Sequence, residues 1–312
     1  MTTLLPPQQG SQPSPDPRSS DAGEPANPRE PAPDLGSRPV EGFDRRAAYI
    51  VARTELRQVL YAKDFWMPMA FMGVMFFLII PTILLVMITK VGSVDAVGQF
   101  ADTLEALPES AQERIKGDDG ATRAAYALAV YLFAPLAIVV PLTISTAIGS
   151  SSIVGEREKG TGEFLAHSPA SVREIFAGKL LASIIPGYAT TLVGFGIYSL
   201  VVNILVGPGA GGWFFPTPEW IMLMFWVVPP FLLFTLSVVL RLSARVKSTA
   251  AAQQASGLVS LPLITVAYSQ ATGALFGSAL TTIVIGALAW VFAIISLRRG
   301  MRALTRSRLL HV

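Results

Sequence analysis

Six stretches of this chain are apolar over roughly the thickness of a bilayer and carry no Lys, Arg, Asp or Glu at their centres. They run over about 65–89, 124–148, 180–206, 220–240, 250–269 and 279–297. A spanning helix needs about 20 apolar residues at 1.5 Å each. Hydrocarbon offers the backbone no partner outside the chain, so such runs must close their own hydrogen bonds as helices. The pattern predicts an all-α integral membrane protein with six transmembrane helices. The fifth run is the most dilute, because Gln253, Gln254 and Gln270 fall in or beside it. Only 14% of the 312 residues are charged, against about a quarter in soluble domains, which excludes a water-exposed globule of this size. With no cysteine, and with His167 and His311 as its histidines, the chain is not expected to hold a metal or to use a thiolate nucleophile.

The basic residues flank the runs on alternate sides. Arg45, Arg46, Arg53, Arg57 and Lys63 precede the first; Arg157, Lys159, Arg173 and Lys179 lie between the second and third. Arg241, Arg245 and Lys247 separate the fourth from the fifth, and Arg298, Arg299, Arg302, Arg306 and Arg308 follow the sixth. The intervening loops 207–219 and 271–278 have no basic residue, and the loop 91–123 is acidic on balance. By the positive-inside rule both termini and the 149–179 loop are cytoplasmic, in a cell inner or plasma membrane. The same placement explains the high pI of about 9.3, so no nucleic-acid partner is implied.

Residues 1–44 are rich in Pro, Ser, Asp and Glu and cannot bury enough apolar surface to offset chain entropy, which predicts a disordered cytoplasmic tail. From residue 45 to 312 the chain reads as one membrane domain. It opens with an amphipathic helix over 45–63. There Tyr49, Ala52, Leu56, Val59 and Leu60 share one face and Arg46, Arg53 and Arg57 the other, as in a helix lying in the membrane interface beside lipid. In the first outer loop Val97, Phe100, Ala101 and Leu104 make an apolar face, and Gly117-Asp118-Asp119-Gly120 is a turn. In the second, Trp213, Phe214, Phe215 and Trp220 read first as an interfacial aromatic belt.

Between the second and third runs lies a compact charged segment, GSSSIVGEREKGTGEFLAHSPASVREIFAGK, Gly149 to Lys179. Residues 153–166 can form a short helix, broken at Ser168-Pro169. A new helix begins at Ser171, whose hydroxyl can cap it while Glu174 completes a capping box, and it continues into the third run. The product is a short lever in water joined end to end with a spanning helix. Gly155 to Thr161 imitates a phosphate-binding loop but has Thr161 where the lysine should stand. No metal-protease, disulfide-exchange or hydrolase motif occurs, so no catalytic residue is assigned. Polar side chains inside the runs include Thr143, Thr146, Asn203, Gln253 and Gln254, which either bond between helices or line a translocation path. The absence of mid-membrane charge argues against proton- and ion-coupled carriers.

The segment Gly155 to Leu181 resembles the permease subunits of type-2 ABC exporters. The resemblance lies in Glu156-Arg157-Glu158, Gly160-Thr161, Glu163, the Ser168-Pro169 break, and Gly178-Lys179 entering the third run. It implies that the loop carries a coupling helix, with Glu156, Arg157, Glu158, Gly160, Thr161 and Glu163 docking into a separate ABC ATPase. Two ATPase copies and a second permease copy, identical or related, would complete the transporter. ATP and magnesium would bind the ATPase and no cofactor this chain. Export is the direction the resemblance implies. An ATP-independent secondary carrier or a membrane assembly scaffold is the alternative.

Overall fold

The computed structural model describes residues 43–91, 112–158, 170–246, 248–271 and 279–303, and every regular element among them is helical. In chain order these are α1 (Arg45–Tyr61), α2 (63–91), α3 (120–158, with a turn at 133–135), α4 (Val172–Leu205), α5 (218–243), α6 (Thr249–Ala271) and α7 (Ala279–Ala303). Five of them, α2, α3, α4, α5 and α7, are long and apolar enough to cross a membrane. The fifth expected run is a continuous helix, α6, and is not among those five. The expectations for residues 1–42 and for Val97, Phe100, Ala101 and Leu104 fall outside the described residues.

α3 and α5 form the centre. In their most apolar stretches 78% and 67% of residues are buried, against 22% in both α2 and α7. α3 packs against α4, α5 and α6; α5 also receives α7, while α1 and α2 lie along α4. Close approach of α2 to α4 is possible because Gly194 faces the ring of Phe77 and Gly73 faces Thr190. A Cβ at Gly194 would overlap that ring.

Prolines accompany three of the four wide turns in the described spans; the fourth, Met87–Val91 at the end of α2, has none close after it. Three wide, π-type turns, at Met75–Ile79, Leu128–Leu132 and Leu223–Val227, each come just before a proline, namely Pro81, Pro135 and Pro229. A proline ring clashes with the carbonyl a turn earlier and has no N–H to offer it. Widening the preceding turn relieves the clash and leaves carbonyls facing sideways. In a bilayer these must find another donor, and aromatic side chains supply it. Tyr198 donates to the Ala129 carbonyl at 2.7 Å, Trp220 Nε1 to Val130 at 2.9 Å, and Tyr188 to Met224 at 2.9 Å.

The aromatic residues of the loop 206–217 therefore do not form the expected belt. Phe215 and Trp220 are buried with Tyr198 and Phe195 in one ring cluster, and Phe214 stacks on Tyr126 at 4.8 Å. Trp213 alone of the four is exposed. Burying Trp220 places its N–H on a carbonyl that needs one. Asn203, in the last turn of α4, holds this loop. Its amide nitrogen donates to the carbonyls of Ser199 and Phe215, and its oxygen accepts from the N–H groups of Phe214 and Phe215. The expected turn at Gly117–Gly120 is present, with Gly117 at φ 147°. Asp119 caps α3 by accepting from the Thr122 N–H at 2.6 Å. That bond and the Thr122 hydroxyl hold the Asp119 carboxyl below its usual range. The cap is thus intact at neutral pH and weakens as pH falls through the lowered value.

Tyr198→Phe keeps the ring and removes the donor, leaving the Ala129 carbonyl buried without it. The expected loss is about 1–3 kcal/mol, read as a lower unfolding midpoint of the detergent-purified protein, while Tyr49→Phe at an exposed position of α1 leaves the midpoint unchanged.

Candidate functional site

At the end of the bundle where α3 finishes and α4 begins, three helices are tied together around the charged segment. Ser171 caps α4 as expected, accepting from the Glu174 N–H at 3.3 Å, while Glu174 Oε2 takes the Ser171 N–H at 2.8 Å. The second oxygen of the same carboxylate accepts the N–H of Asp44, the N-cap of α1, at 2.9 Å. One buried carboxylate therefore sits at the N-termini of both helices, where its charge meets the positive ends of their dipoles. Asp44 completes the start of α1 by accepting from the Arg46 N–H at 2.7 Å.

One turn further along α4, Lys179 is 1% exposed. Its ammonium donates to Glu55 Oε1 of α1 at 2.6 Å and to the Ser152 carbonyl of α3 at 3.0 Å. The adjacent Gly178 admits α1: a Cβ there would lie 2.6 Å from Val51 Cγ1 and 3.0 Å from the Ala48 carbonyl. An apolar cluster of Ile153, Phe176, Leu180, Leu236, Leu240 and Ala244 fills the space beneath and draws in the end of α5. The two residues of the Gly178-Lys179 pair thus have separate tasks. One gives the amphipathic helix room, and the other bonds it.

On α1, Ala52 and Val59 of the apolar face pack inward, and Tyr49 and Leu60 of that face do not. The buried residues are Ala48, Ala52, Glu55 and Val59, whereas Tyr49 is 64% and Leu60 52% exposed. A helix at a membrane surface turns such tyrosine and leucine side chains to lipid. Its inner face is chosen by the small residues that fit α4 and by the acid that meets Lys179. Glu55 is the one carboxylate in an otherwise basic helix, and that is the signal by which the sequence could have shown the pair.

The lever also begins differently. No break separates the second run from the segment at 153, since one helix runs from Leu136 to Glu158. Glu156, Arg157 and Glu158 have helical backbone at its end. Gly160, Thr161 and Glu163 lie outside the described residues. Among the candidate path residues, Thr143 is exposed on α3 and donates to the Val139 carbonyl, and buried Thr146 donates to that of Thr143. Gln253 and Gln254 are exposed in the first turns of α6. Asn203 belongs to the opposite end of the bundle, where its amide is taken up by the loop. The structure does not bring these five into one site.

A family profile described as "ABC-2 family transporter protein" matches residues 49–283. No curated protein matches the chain.

Lys179→Met leaves the Glu55 carboxylate buried without its cation, and the expected loss of stability is about 3–5 kcal/mol. Adding Glu55→Gln to it recovers most of that loss. Denaturant midpoints of the two variants and the parent measure both effects.

Proposed function

The chain belongs to the ABC-2 family of transporter proteins, membrane subunits that associate with an ABC ATPase, and we propose that the ATPase docks on its 153–166 segment through Glu156, Arg157, Glu158, Gly160, Thr161 and Glu163. The observation that carries this reading is the Lys179–Glu55 pair together with the lysine's second bond, to the Ser152 carbonyl. The two described ends of the segment, at Glu158 and Ala170, emerge from helices that this lysine ties to each other and to α1. A displacement imposed on the segment when ATPases close around ATP enters α3, α4 and α1 together, as a rigid-body movement. Hydrolysis, with ATP and magnesium, takes place on the ATPase, and the permease contributes the path.

In the same reading α6 is the sixth span. At 1.5 Å per residue its 23 residues reach about 34 Å. The end of the bundle rich in arginine and lysine faces the cytoplasm with both termini, and α1 lies in the inner interface. Two permease copies, identical or related, form the path, with Thr143, Gln253 and Gln254 as its polar lining, and transport runs outward from the cytoplasm across the cell membrane.

Glu156→Arg and Glu163→Arg reverse charge on the docking surface. Each is expected to lower ATP hydrolysis stimulated by the permease by about tenfold or more, the effect of losing about 1.4 kcal/mol of coupling, with the permease still inserted. Full association and turnover in both variants would overturn the docking assignment and leave the ATP-independent carrier or scaffold standing. Because the chain has no native cysteine, a cysteine placed at Glu158 reports its side directly. It is expected to react with an impermeant maleimide only after the membrane is opened.

A further inference from the structure

At the end of the bundle away from Lys179, the first turns of α3 and α5 and the segment 113–116 line a half-open cavity of about 340 Å³. That is within the size range of small-molecule sites. Its wall is aromatic and apolar: Tyr126 stacked on Phe214, with Val130 beside them. Its rim carries two carboxylates, Glu113 and Glu219, and two cations, Arg114 and Lys116. Arg114 Nη1 and Glu219 Oε1 are 3.2 Å apart, with their side chains 51% and 29% exposed. Thr217 also lines the cavity; it is 8% exposed, and its hydroxyl is buried without a hydrogen-bond partner.

We propose that this cavity binds a zwitterion, an ammonium group joined to a phosphate, of the kind carried by phosphocholine and phosphoethanolamine headgroups. A ligand of a single charge meets as many like charges on the rim as opposite ones, so its attraction largely cancels. A zwitterion can satisfy both signs at once. It exchanges the exposed Arg114–Glu219 pair, worth little in water, for two pairs partly withdrawn from it. The ammonium lies against Glu219 and the aromatic wall, where ring faces attract a cation. The phosphate lies against Arg114 and Lys116, and the Thr217 hydroxyl donates to one of its oxygens. A buried hydroxyl without a partner costs free energy that such an acceptor would restore. This site requires no ATPase and stands independently of the docking reading.

The test uses the full chain purified in a maltoside detergent, which brings no zwitterionic headgroup. Calorimetric titration with glycerophosphocholine is compared with choline and with glycerol phosphate. The whole zwitterion is expected to bind at least about tenfold tighter than either half. Arg114→Gln and Glu219→Gln, each of which removes one rim charge, should each weaken it by about tenfold. Thr217→Val should weaken it by a smaller factor and Thr217→Ser should restore it. A parallel arm reconstitutes the chain with equal phosphatidylcholine and phosphatidylglycerol and reads the retained lipid by native mass spectrometry. Retention of phosphatidylcholine that is lost in Glu219→Gln, without binding of the free headgroup, supports the proposal with a membrane lipid as the source. Binding of both supports a headgroup that suffices alone. Equal affinity for the halves and the whole, insensitivity to both rim variants, or no binding in either arm overturns it.

Discussion

An ammonium group shut away from water cannot stand alone, and much of the charged end of this protein follows from how Lys179 is satisfied. Withdrawing an ion from water costs several kcal/mol even after the protein relaxes. Here the carboxylate of Glu55 and the carbonyl of Ser152 offset that cost, and they come from α1 and α3 while the lysine belongs to α4. Parting α1 from α4 would break the buried Lys179–Glu55 pair, and parting α3 from α4 would break the bond to Ser152. Gly178, which admits α1, and Glu174, which holds the starts of α1 and α4, are consistent with the same close docking. The junction is a single body built from three distant parts of the chain.

The same requirement, that no polar group be stranded in hydrocarbon, governs the rest of the bundle. Prolines open the helical turns before them, and α4 carries two of the donors that close the gaps, Tyr188 and Tyr198. Its last turn carries Asn203, which fixes the far loop. α4 thus has bonds at its start, middle and end. Over its 34 residues, about 51 Å at 1.5 Å each, it is a continuous beam from the junction to the opposite loops. In the proposed coupling, such a beam would carry movement from a docked ATPase to the far side of the membrane.

Much of this architecture can be read from the sequence. The apolar runs mark all the long helices, and Ser171 with Glu174 marks the start of α4 because a capping box is a local pattern of residue types at fixed spacing. The Gly117–Gly120 turn is equally local. What cannot be read are choices made by partners far along the chain. Glu55 on the inner face of α1 meets a lysine 124 residues away, a partner that no local pattern shows. Phe215 and Trp220 look interfacial by composition but are drawn inward by rings and by a carbonyl that Pro135 cannot serve. The helix of α3 runs on to Glu158 because Ser150-Ser151-Ser152 is polar but contains no breaker; a change from apolar to polar is not a change of backbone.

The central claim is that α1 and the start of α4 move as one body when the ATPase works. The cysteine-free chain allows spin labels to be placed at Arg53 and Arg173, both exposed, in the assembled transporter with its ATPase. Pulsed electron-spin distance measurements then compare the nucleotide-free and ATP-trapped states, with a second pair at Arg173 and Arg245 spanning α4 and α5. The 53–173 distance should be the same in both states while the 173–245 distance changes. A shift in the 53–173 distance on ATP binding would show that the Lys179 junction yields, and would contradict the account.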